Sequence, residues 1–369
     1  MESNMLNLIK VYPLVIISLY YCYWIRTFVQ PGTKRLTCFL PIICLNLFIP
    51  LTFSSVHLTG TLGFFFAWLT NFKLLCFAFN KGPLSSDSSI SLPLFLALAC
   101  LPIKIQQKKY SHDQNGKTKT PSQDLLDSSK SSNFETKKSS KTLFKSTPFL
   151  QYAIKGILLG VLVKIYDYSD YIHPKIIWGM YCFHVYFTLE IMLATIALLA
   201  QKTLGLELEP QFNNPIISTS LQDFWGRRWN LIVTSILRPT VYEPTLKAAK
   251  NVIGPKWAPL PAVLGTFVVS GLMHELILFY LGRLEPTFKM MGFFVLHGVC
   301  LTVEIGLKKF VTDRWRLPKL VSRPLTVGFV FATCFWLFLP EFIRCRLDVK
   351  AFEEYAALGA YVRNLTSVF

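Results

Sequence analysis

The stretch Val268–Tyr280, VVSGLMHELILFY, places a histidine and a glutamate inside an otherwise apolar run. The apolar run continues on both sides, over about residues 258–282, which is enough for the roughly 20 residues that cross a bilayer as an α-helix. Ionisable side chains within a membrane helix are costly and often mark a functional site. The sequence therefore predicts a membrane-spanning helix with His274 and Glu275 inside it.

Similar runs recur along the whole chain of 369 residues, of which 52% are hydrophobic and 16% charged. The first run is not followed by an A-x-A cleavage site, so we interpret it as a membrane helix and not as a cleaved signal. The pattern predicts an all-α, polytopic membrane protein of about eight to nine transmembrane helices. The predicted spans are 8–28, 36–53, 61–79, 89–103, 148–165, 175–200, 258–282, 288–307 and 325–343.

The formal net charge is +17. Lysine and arginine accumulate in the cytosolic loops of membrane proteins, so this charge predicts a basic cytosolic face and not a nucleic-acid partner. The nine cysteines form no C-x-x-C pair, and most lie within apolar runs. We expect buried small side chains from them, and neither a disulfide framework nor a metal site.

One segment interrupts the apolar pattern. Residues 104–147 contain ten lysines against four acidic residues and few large apolar side chains. Such a composition cannot bury enough surface to order itself, which predicts a disordered basic loop in the cytosol. The loop divides the chain into N-terminal transmembrane helices, 1–103, and a second region, 148–369.

Four predicted spans before this loop place the N-terminus in the cytosol. The same count places residues 201–257 and 308–324 in the cytosol and the C-terminus in the lumen, where Asn364-Leu365-Thr366 is a glycosylation sequon. Lys34 and Arg35 then fall in a lumenal turn, against the rule that positive residues stay inside.

The stretch Ser220–Asn230, SLQDFWGRRWN, concentrates polarity and aromatic surface. At 100° per residue, its two tryptophans share an arc with Ile232 and Ile236. The opposite side carries Asn230, Thr234, Arg227 and Arg238. The pattern predicts an amphipathic helix at the membrane surface, which Ser220 and Asp223 begin as a capping box and Pro239 ends. Either it is a passive anchor, or its polar side meets a phosphate-bearing substrate.

Other ionisable residues also fall in predicted spans: His184, Glu190, His297 and Glu304. His297 and Glu304 are seven residues apart and share a helix face, so they line a polar channel or form hydrogen bonds between helices. The sequence has no G-x-S-x-G, H-x-x-x-D, H-E-x-x-H or P-loop motif. The absence of these motifs argues against a serine hydrolase, a zinc protease or a nucleotide-driven pump.

Several long motifs resemble the membrane-bound O-acyltransferase superfamily, in its branch of plant wax synthases and acyl-CoA sterol acyltransferases. The likeness is greatest to the members that esterify sterols. It covers nearly the whole chain outside the 104–147 loop. The motifs are NFKLLCFAFNKGPLSS (71–86), LELEPQFNNP (206–215), SLQDFWGRRWNLIVTSILRPTVYEP (220–244), FVVSGLMHELI (267–277) and LFLPEFIRC (337–345).

The resemblance implies a fold with a catalytic chamber inside the membrane, residence in the endoplasmic reticulum and acyl-CoA as cosubstrate, without a cofactor or metal. It implies that His274 is the signature catalytic residue and Asn230 its upstream partner. On this hypothesis, His274 deprotonates an acceptor hydroxyl while Asn230 positions the thioester or donates to its carbonyl oxygen. CoA phosphates would contact Arg227, Arg228, Arg238 and Lys256.

Some assignments stay open at this point. Trp225, with Trp229, either lines the substrate entrance or anchors the helix; we favour the anchor. Glu275, His297 and Glu304 are possible polar residues of the chamber. The acceptor is predicted to be a sterol, with a long-chain alcohol as the alternative; a lipid transporter without catalysis is the alternative of another class. The sequence predicts membrane lipids as surroundings and no particular oligomeric state.

Overall fold

The computed structural model describes residues 2–85, 90–106, 148–310 and 317–366. Within these ranges the chain forms fifteen α-helices and no β-strand, apart from an isolated bridge between Ile105 and Leu208. The helices are α1 Glu2–Ile25, α2 Thr33–Phe48, α3 Val56–Leu62, α4 Asn71–Ala78, α5 Leu92–Cys100, α6 Pro148–Ile165, α7 Pro174–Leu204, α8 Leu221–Arg227, α9 Leu231–Leu237, α10 Glu243–Trp257, α11 Pro259–Gly282, α12 Lys289–Phe310, α13 Lys319–Thr333, α14 Leu339–Arg344 and α15 Leu347–Thr366. The predicted all-α class is confirmed.

Seven helical stretches of the described chain are long and apolar enough to cross a membrane. They are Ser3–Ile25, Thr33–Thr52, Val56–Ala78, Pro174–Leu204, Pro259–Gly282, Lys289–Phe310 and Lys319–Arg344. Each corresponds to one of the predicted spans. The protein is a multi-pass membrane protein.

The predicted span 89–103 is wrong. Its helix, α5, has nine residues, or about 14 Å at 1.5 Å per residue, against a hydrocarbon core of about 30 Å. Leu101 leaves the helix with extended backbone, as expected for a residue that precedes a proline. Lys73 Nζ donates to the carbonyls of Leu98 and Leu101, at 2.6 Å each, and so caps the end of α5. The predicted span 148–165 is a helix of 18 residues, α6, although it is not among the seven.

The helix bundle has two ends with different neighbours. At one end, which we name the terminal end, Asn4 Oδ1 accepts from Ser54 N at 3.1 Å and Arg283 donates to the Leu51 carbonyl at 3.0 Å. Ser55 Oγ donates to Glu354 of α15 at 3.0 Å. The N-terminus, the turn after α11 and the C-terminal helix therefore lie together.

The opposite end, which we name the basic end, contains residues 26–35, 78–85, 238–258 and 308–310. Here Gly32 N donates to the Ala78 carbonyl at 2.8 Å, and α4 packs against α9 and residues 238–242. Lys309 Nζ donates to the Lys256 carbonyl and so joins α12 to the end of α10.

The predicted topology is wrong in one respect: it placed the N-terminus on the same side as residues 308–324. The structure places the N-terminus and the C-terminal end of α12 at opposite ends of the bundle. The reason is that three complete spans, not four, precede α5. Lys34 and Arg35 now lie at the basic end with Lys308, so the discrepancy in the predicted topology disappears.

Residues 107–147 of the predicted disordered loop lie outside the described residues, and the division into 1–103 and 148–369 stays a prediction.

Three helical segments are wound more widely than an α-helix. Asn71 N, Glu243 N and Leu339 N donate to carbonyls five residues earlier, which is the π-helical pattern. The segments are Gly63–Thr70, Arg238–Tyr242 and Cys334–Phe338. π-helical turns are rare and frequently lie at functional sites.

Candidate active site at His274

His274 lies in the middle of α11, within the membrane span. Its Nδ1 is 2.8 Å from the Ser270 carbonyl oxygen, one helical turn earlier. A carbonyl only accepts, so Nδ1 carries the proton and Nε2 presents a lone pair. Nε2 has no hydrogen-bond partner among the described residues. The imidazole is thus oriented as a base with one nitrogen unoccupied.

Aromatic side chains surround this imidazole. Phe294 of α12 stacks on it at 4.0 Å between ring centroids, and Trp68 meets it edge-on at 5.0 Å. Phe338 lies at 6.4 Å. Trp68 and Phe338 belong to two of the three π-helical segments. These walls are apolar, which disfavours water beside the imidazole.

Asn230 lies between α8 and α9 with left-handed backbone, φ 36° and ψ 66°. Asparagine adopts this conformation more readily than most residues. The predicted continuous helix from Ser220 to Pro239 is therefore wrong, because the chain turns at Asn230. Its Oδ1 is buried and has no hydrogen-bond partner in the described chain. An unpaired buried oxygen costs on the order of 1–3 kcal/mol, so a hydrogen-bond donor brought to Oδ1 would be favourable.

The start of the predicted helix is confirmed, but its end is not. Ser220 Oγ accepts from Asp223 N at 3.1 Å, and Asp223 Oδ2 accepts from Thr219 N at 3.2 Å. Pro239 does not end the helical path: it lies in the π-helical segment 238–242, which leads directly into α10.

The two tryptophans of this stretch face the protein interior, so our preference for a membrane anchor is wrong. Trp225 Nε1 donates to His297 Nδ1 at 3.1 Å, and its ring packs edge-on against Phe267. Trp229 stacks on Phe224 at 5.4 Å. Ile232 and Ile236, on the same predicted arc, are only 2% and 1% exposed. The apolar arc is real, but it meets other helices instead of lipid.

The basic residues predicted to contact CoA phosphates differ in their contacts within the fold. Arg228 Nε donates to Asp223 Oδ2 at 2.8 Å, and its guanidinium also reaches the Asn213 carbonyl at 3.0 Å. Arg227, Arg238 and Lys256 are exposed. Arg238 pairs with Glu243 at 3.5 Å. Arg228 therefore holds the turn, while Arg238 and Lys256 lie exposed at the basic end and Arg227 is exposed at the end of α8.

Asp223 is the acidic partner in this turn. Partial burial raises the pKa of its carboxyl, but hydrogen bonds from Arg228 and Thr219 N, together with the nearby arginine charges, outweigh burial. The pKa of Asp223 therefore lies below its ordinary value.

The other predicted chamber residues make contacts between helices. His297 is 0% exposed and uses both ring nitrogens, since Nε2 also lies 2.8 Å from Thr333 Oγ1. Glu304 accepts from Leu221 N at 2.9 Å and from Lys308 at 2.6 Å. Glu275 Oε1 accepts from Met291 N at 3.0 Å. His297 and Glu304 thus attach α8 to α12, which removes the basis for a polar channel.

His184 and Glu190, the remaining span residues, are likewise bonded between helices. His184 Nε2 lies 3.0 Å from Tyr355 Oη of α15, and Glu190 pairs with Lys155 of α6.

Comparison with known proteins gives a consistent result. Residues 208–296, which include Asn230 and His274, match the model of the family described as "Membrane bound O-acyl transferase family". The chain is 48% identical to Acyl-CoA--sterol O-acyltransferase 1 of Arabidopsis thaliana, over 98% of this chain and 99% of that protein.

The chain belongs to the membrane-bound O-acyltransferase family.

Two further relatives are named for another acceptor. The chain is 42% identical to the long-chain-alcohol O-fatty-acyltransferase of Simmondsia chinensis, over 90% of this chain and 88% of that protein. It is 40% identical to a probable long-chain-alcohol O-fatty-acyltransferase 3 of Arabidopsis thaliana, over 92% and 91%. This membrane-bound O-acyltransferase is therefore an enzyme that transfers acyl groups to oxygen.

Sequence reasoning missed three residues at this site: Trp68, Phe294 and Phe338. Each lies in an apolar run, where an aromatic side chain is indistinguishable from ordinary packing. The winding of the π-helical segments, which sets the direction of Trp68 and Phe338, leaves no mark in the hydrophobic pattern.

Proposed function

We propose that this enzyme transfers a fatty acyl group from acyl-CoA to the hydroxyl of a sterol, with His274 as the general base. The proposal rests chiefly on the imidazole itself: Nδ1 is held by the Ser270 carbonyl and Nε2 is unoccupied. A sterol acceptor is supported by the relative named for that reaction, which is similar along almost the whole chain.

The reaction needs no covalent enzyme intermediate. His274 Nε2 takes the hydroxyl proton as the alcohol oxygen attacks the thioester carbonyl carbon. The tetrahedral intermediate then expels the CoA thiolate by breaking the carbon–sulfur bond. The imidazolium returns its proton to that sulfur, so the products are an ester and CoA-SH with no net change in protons.

Asn230 would serve the acyl-CoA. Its Oδ1 lacks a donor, and the pantetheine arm of CoA carries amide N–H groups that can donate to it. The Nδ2 amide would donate to the thioester carbonyl oxygen as charge develops there. The phosphates of CoA would lie near the exposed Arg227, Arg238 and Lys256, at the basic end of the bundle.

This arrangement assigns sides to the membrane. The basic end would face the cytosol, where acyl-CoA is available and where positive residues accumulate. The N-terminus and α15 would then face the lumen of the endoplasmic reticulum. A glycosylation acceptor sequence added before Met1 should be glycosylated, and one inserted in residues 308–324 should not. The reverse result contradicts this orientation.

The acceptor is tested by expression in a yeast strain that lacks its own neutral-lipid acyltransferases. Sterols and long-chain alcohols are supplied separately and the ester products are analysed. We expect steryl esters from the wild type and none from His274→Ala at the same protein level. Wax esters without steryl esters contradict the sterol acceptor.

A wax synthase is the second candidate. It is favoured by the relatives named for long-chain alcohols, which are 42% and 40% identical to this chain. The chemistry at His274 is the same for both acceptors, so only the product analysis separates them.

A further inference from the structure

Trp68 contacts the imidazole of His274 but has no role in the reaction described so far. It lies in the π-helical segment Gly63–Thr70, in the middle of the third span. The side chain is 1% exposed. Its ring meets His274 at 5.0 Å and an interplanar angle of 79°. Its indole Nε1 is buried and has no hydrogen-bond partner in the described part of the chain.

A buried indole N–H normally has an acceptor, because leaving it unpaired forfeits its hydrogen bonds to water without replacement. The neighbours of Trp68 offer none. Phe64 meets the ring edge-on at 5.6 Å, and the surrounding core is made of apolar side chains such as Leu69 and Leu193. Among the described residues, the polar side chain in ring contact with it is His274, and a substrate that uses Nε2 would lie beside that same imidazole. A bound substrate is therefore the available source of the missing acceptor.

The position of Trp68 is fixed by close packing of its helix against α11. A Cβ atom on Gly63 would lie 3.2 Å from the Tyr280 ring, and one on Gly60 would lie 3.5 Å from the Leu281 side chain. These glycines let the third span approach the helix that carries His274. The wide turn after Gly63 then sets the direction of Trp68. The indole is thus held rigidly beside the base, as a preorganised donor requires.

We propose that Trp68 Nε1–H donates a hydrogen bond to the thioester carbonyl oxygen of the acyl donor. The proposal rests on the acyl transfer proposed above and assigns a further residue to it. As the alcohol oxygen bonds to the carbonyl carbon, the carbonyl π electrons move to oxygen, and the indole N–H stabilises that negative charge. The hydrogen bond weakens when the carbonyl re-forms and the CoA thiolate leaves.

The carbonyl is a better partner than the acceptor hydroxyl for a chemical reason. The hydroxyl gives its hydrogen to His274 and uses a lone pair to attack carbon. A second donor on that oxygen would withdraw electron density from it and slow the attack. The carbonyl oxygen gains charge in the same step, so a donor there stabilises the transition state more than the ground state. Trp68 Nε1 and Asn230 Nδ2 would together form a pair of donors for this oxygen.

The variant Trp68→Phe removes the N–H and retains an aromatic ring. We expect kcat to fall about 10²-fold, as for loss of one oxyanion donor. The KM values for acyl-CoA and sterol should stay within about threefold, since the bond strengthens mainly in the transition state. Turnover is expressed per site that binds a non-reactive thioether analogue of acyl-CoA, so that loss of folded protein does not count. Trp24→Phe is the matched control, because Trp24 lies at a half-exposed position of α1.

A binding experiment tests the same hydrogen bond without turnover. Two non-reactive CoA analogues are compared: a ketone, which keeps the carbonyl, and a thioether, which lacks it. The wild type should bind the ketone more tightly, and Trp68→Phe should lose most of that preference. The proposal is overturned if Trp68→Phe keeps wild-type kcat, if only the KM for sterol rises, or if the preference for the ketone is unchanged. If the wild type makes no ester at all, the proposed function fails instead, and the analogue preference still reports on Trp68.

Discussion

Two histidines on neighbouring helices of the same bundle are used in opposite ways. His274 of α11 and His297 of α12 both lie within membrane spans and both contact aromatic rings. His297 is fully buried, and both of its nitrogens are bonded to side chains, Trp225 and Thr333. His274 has one nitrogen bonded to its own helix, and the other has no hydrogen-bond partner among the described residues.

The two histidines therefore differ in the hydrogen-bond capacity that the described fold leaves free. A neutral imidazole has one donor and one acceptor. In His297 both are occupied within the fold, so it links α8, α12 and α13. In His274 the described part of the fold occupies the donor, and the acceptor is the nitrogen that the proposed general base would use.

The comparison is tested most directly by removing the base. His274→Ala should lower kcat by about 10²–10⁴-fold, which is the usual contribution of general base catalysis. Stability should fall less than in His297→Leu, because the fold loses one hydrogen bond to a carbonyl of the same helix and the ring contacts with Phe294 and Trp68, but no buried partner is left unpaired on another helix. Ester formation per folded molecule and thermal unfolding in detergent measure the two effects. Retained ester formation contradicts the assignment of His274.

Asn230 gives the next largest effect on turnover. Asn230→Gly removes the amide but tolerates the left-handed backbone, whereas Asn230→Ala removes the amide and strains the backbone by roughly 1 kcal/mol. Both variants should lose about 10–100-fold in kcat, and only the alanine variant should unfold at a lower temperature. Wild-type turnover in Asn230→Gly shows that Asn230 has only a conformational role.

His297→Leu should have the reverse pattern of His274→Ala. It leaves Trp225 Nε1 without its acceptor and Thr333 without a donor, so we expect a loss of about 2–4 kcal/mol in stability. Turnover per folded molecule should fall less than tenfold. A loss of turnover as large as that of His274→Ala, with stability retained, removes the distinction between the two histidines.

The smallest effect concerns Asp223, which caps the helix that carries Trp225 to His297. Asp223→Asn should lower stability at pH 7 by about 1 kcal/mol. Because the folded-state pKa of Asp223 is depressed, its contribution is present above about pH 4, the unfolded value, and is lost as the pH falls through the folded value. The stability difference between wild type and variant should therefore stay constant from pH 8 to pH 5 and shrink below about pH 4. A difference that shrinks between pH 8 and pH 5 contradicts the depressed pKa.

Much of the fold follows from the sequence, because a membrane span needs only length and apolar composition. The seven spans were predicted on that basis. The same criterion failed for α5, whose run 89–103 has an apolar composition but is interrupted by Pro102 and forms only nine helical residues. One wrongly counted span reverses the side of the membrane assigned to every segment before it. The predicted topology of the N-terminal part was wrong for that reason.

The candidate site likewise has features that the sequence predicted and features that it did not. His274 was predicted as an ionisable residue inside a membrane span and then by resemblance to a family, and Asn230 by that resemblance; both remain the leading candidates. The orientation of Trp225 was not predictable, since lipid and protein interior are both apolar and a helical wheel does not distinguish them. The turn at Asn230 was missed because residues on both sides of it are compatible with a helix.

The wide turn at residues 63–70 has a consequence for the whole third span. Each π-helical turn contains roughly one residue more than an α-helical turn, so it changes the angular phase of everything that follows by about 100°. This phase change directs Asn71 to Asn46 of α2, at 2.9 Å, and Lys73 to the end of α5. Deletion of a single residue within 63–70 would restore an uninterrupted α-helix but rotate those partners away. The span therefore consists of two helical parts along one axis. The faces of the second part are rotated about that axis relative to the first, and Trp68 lies between the two parts.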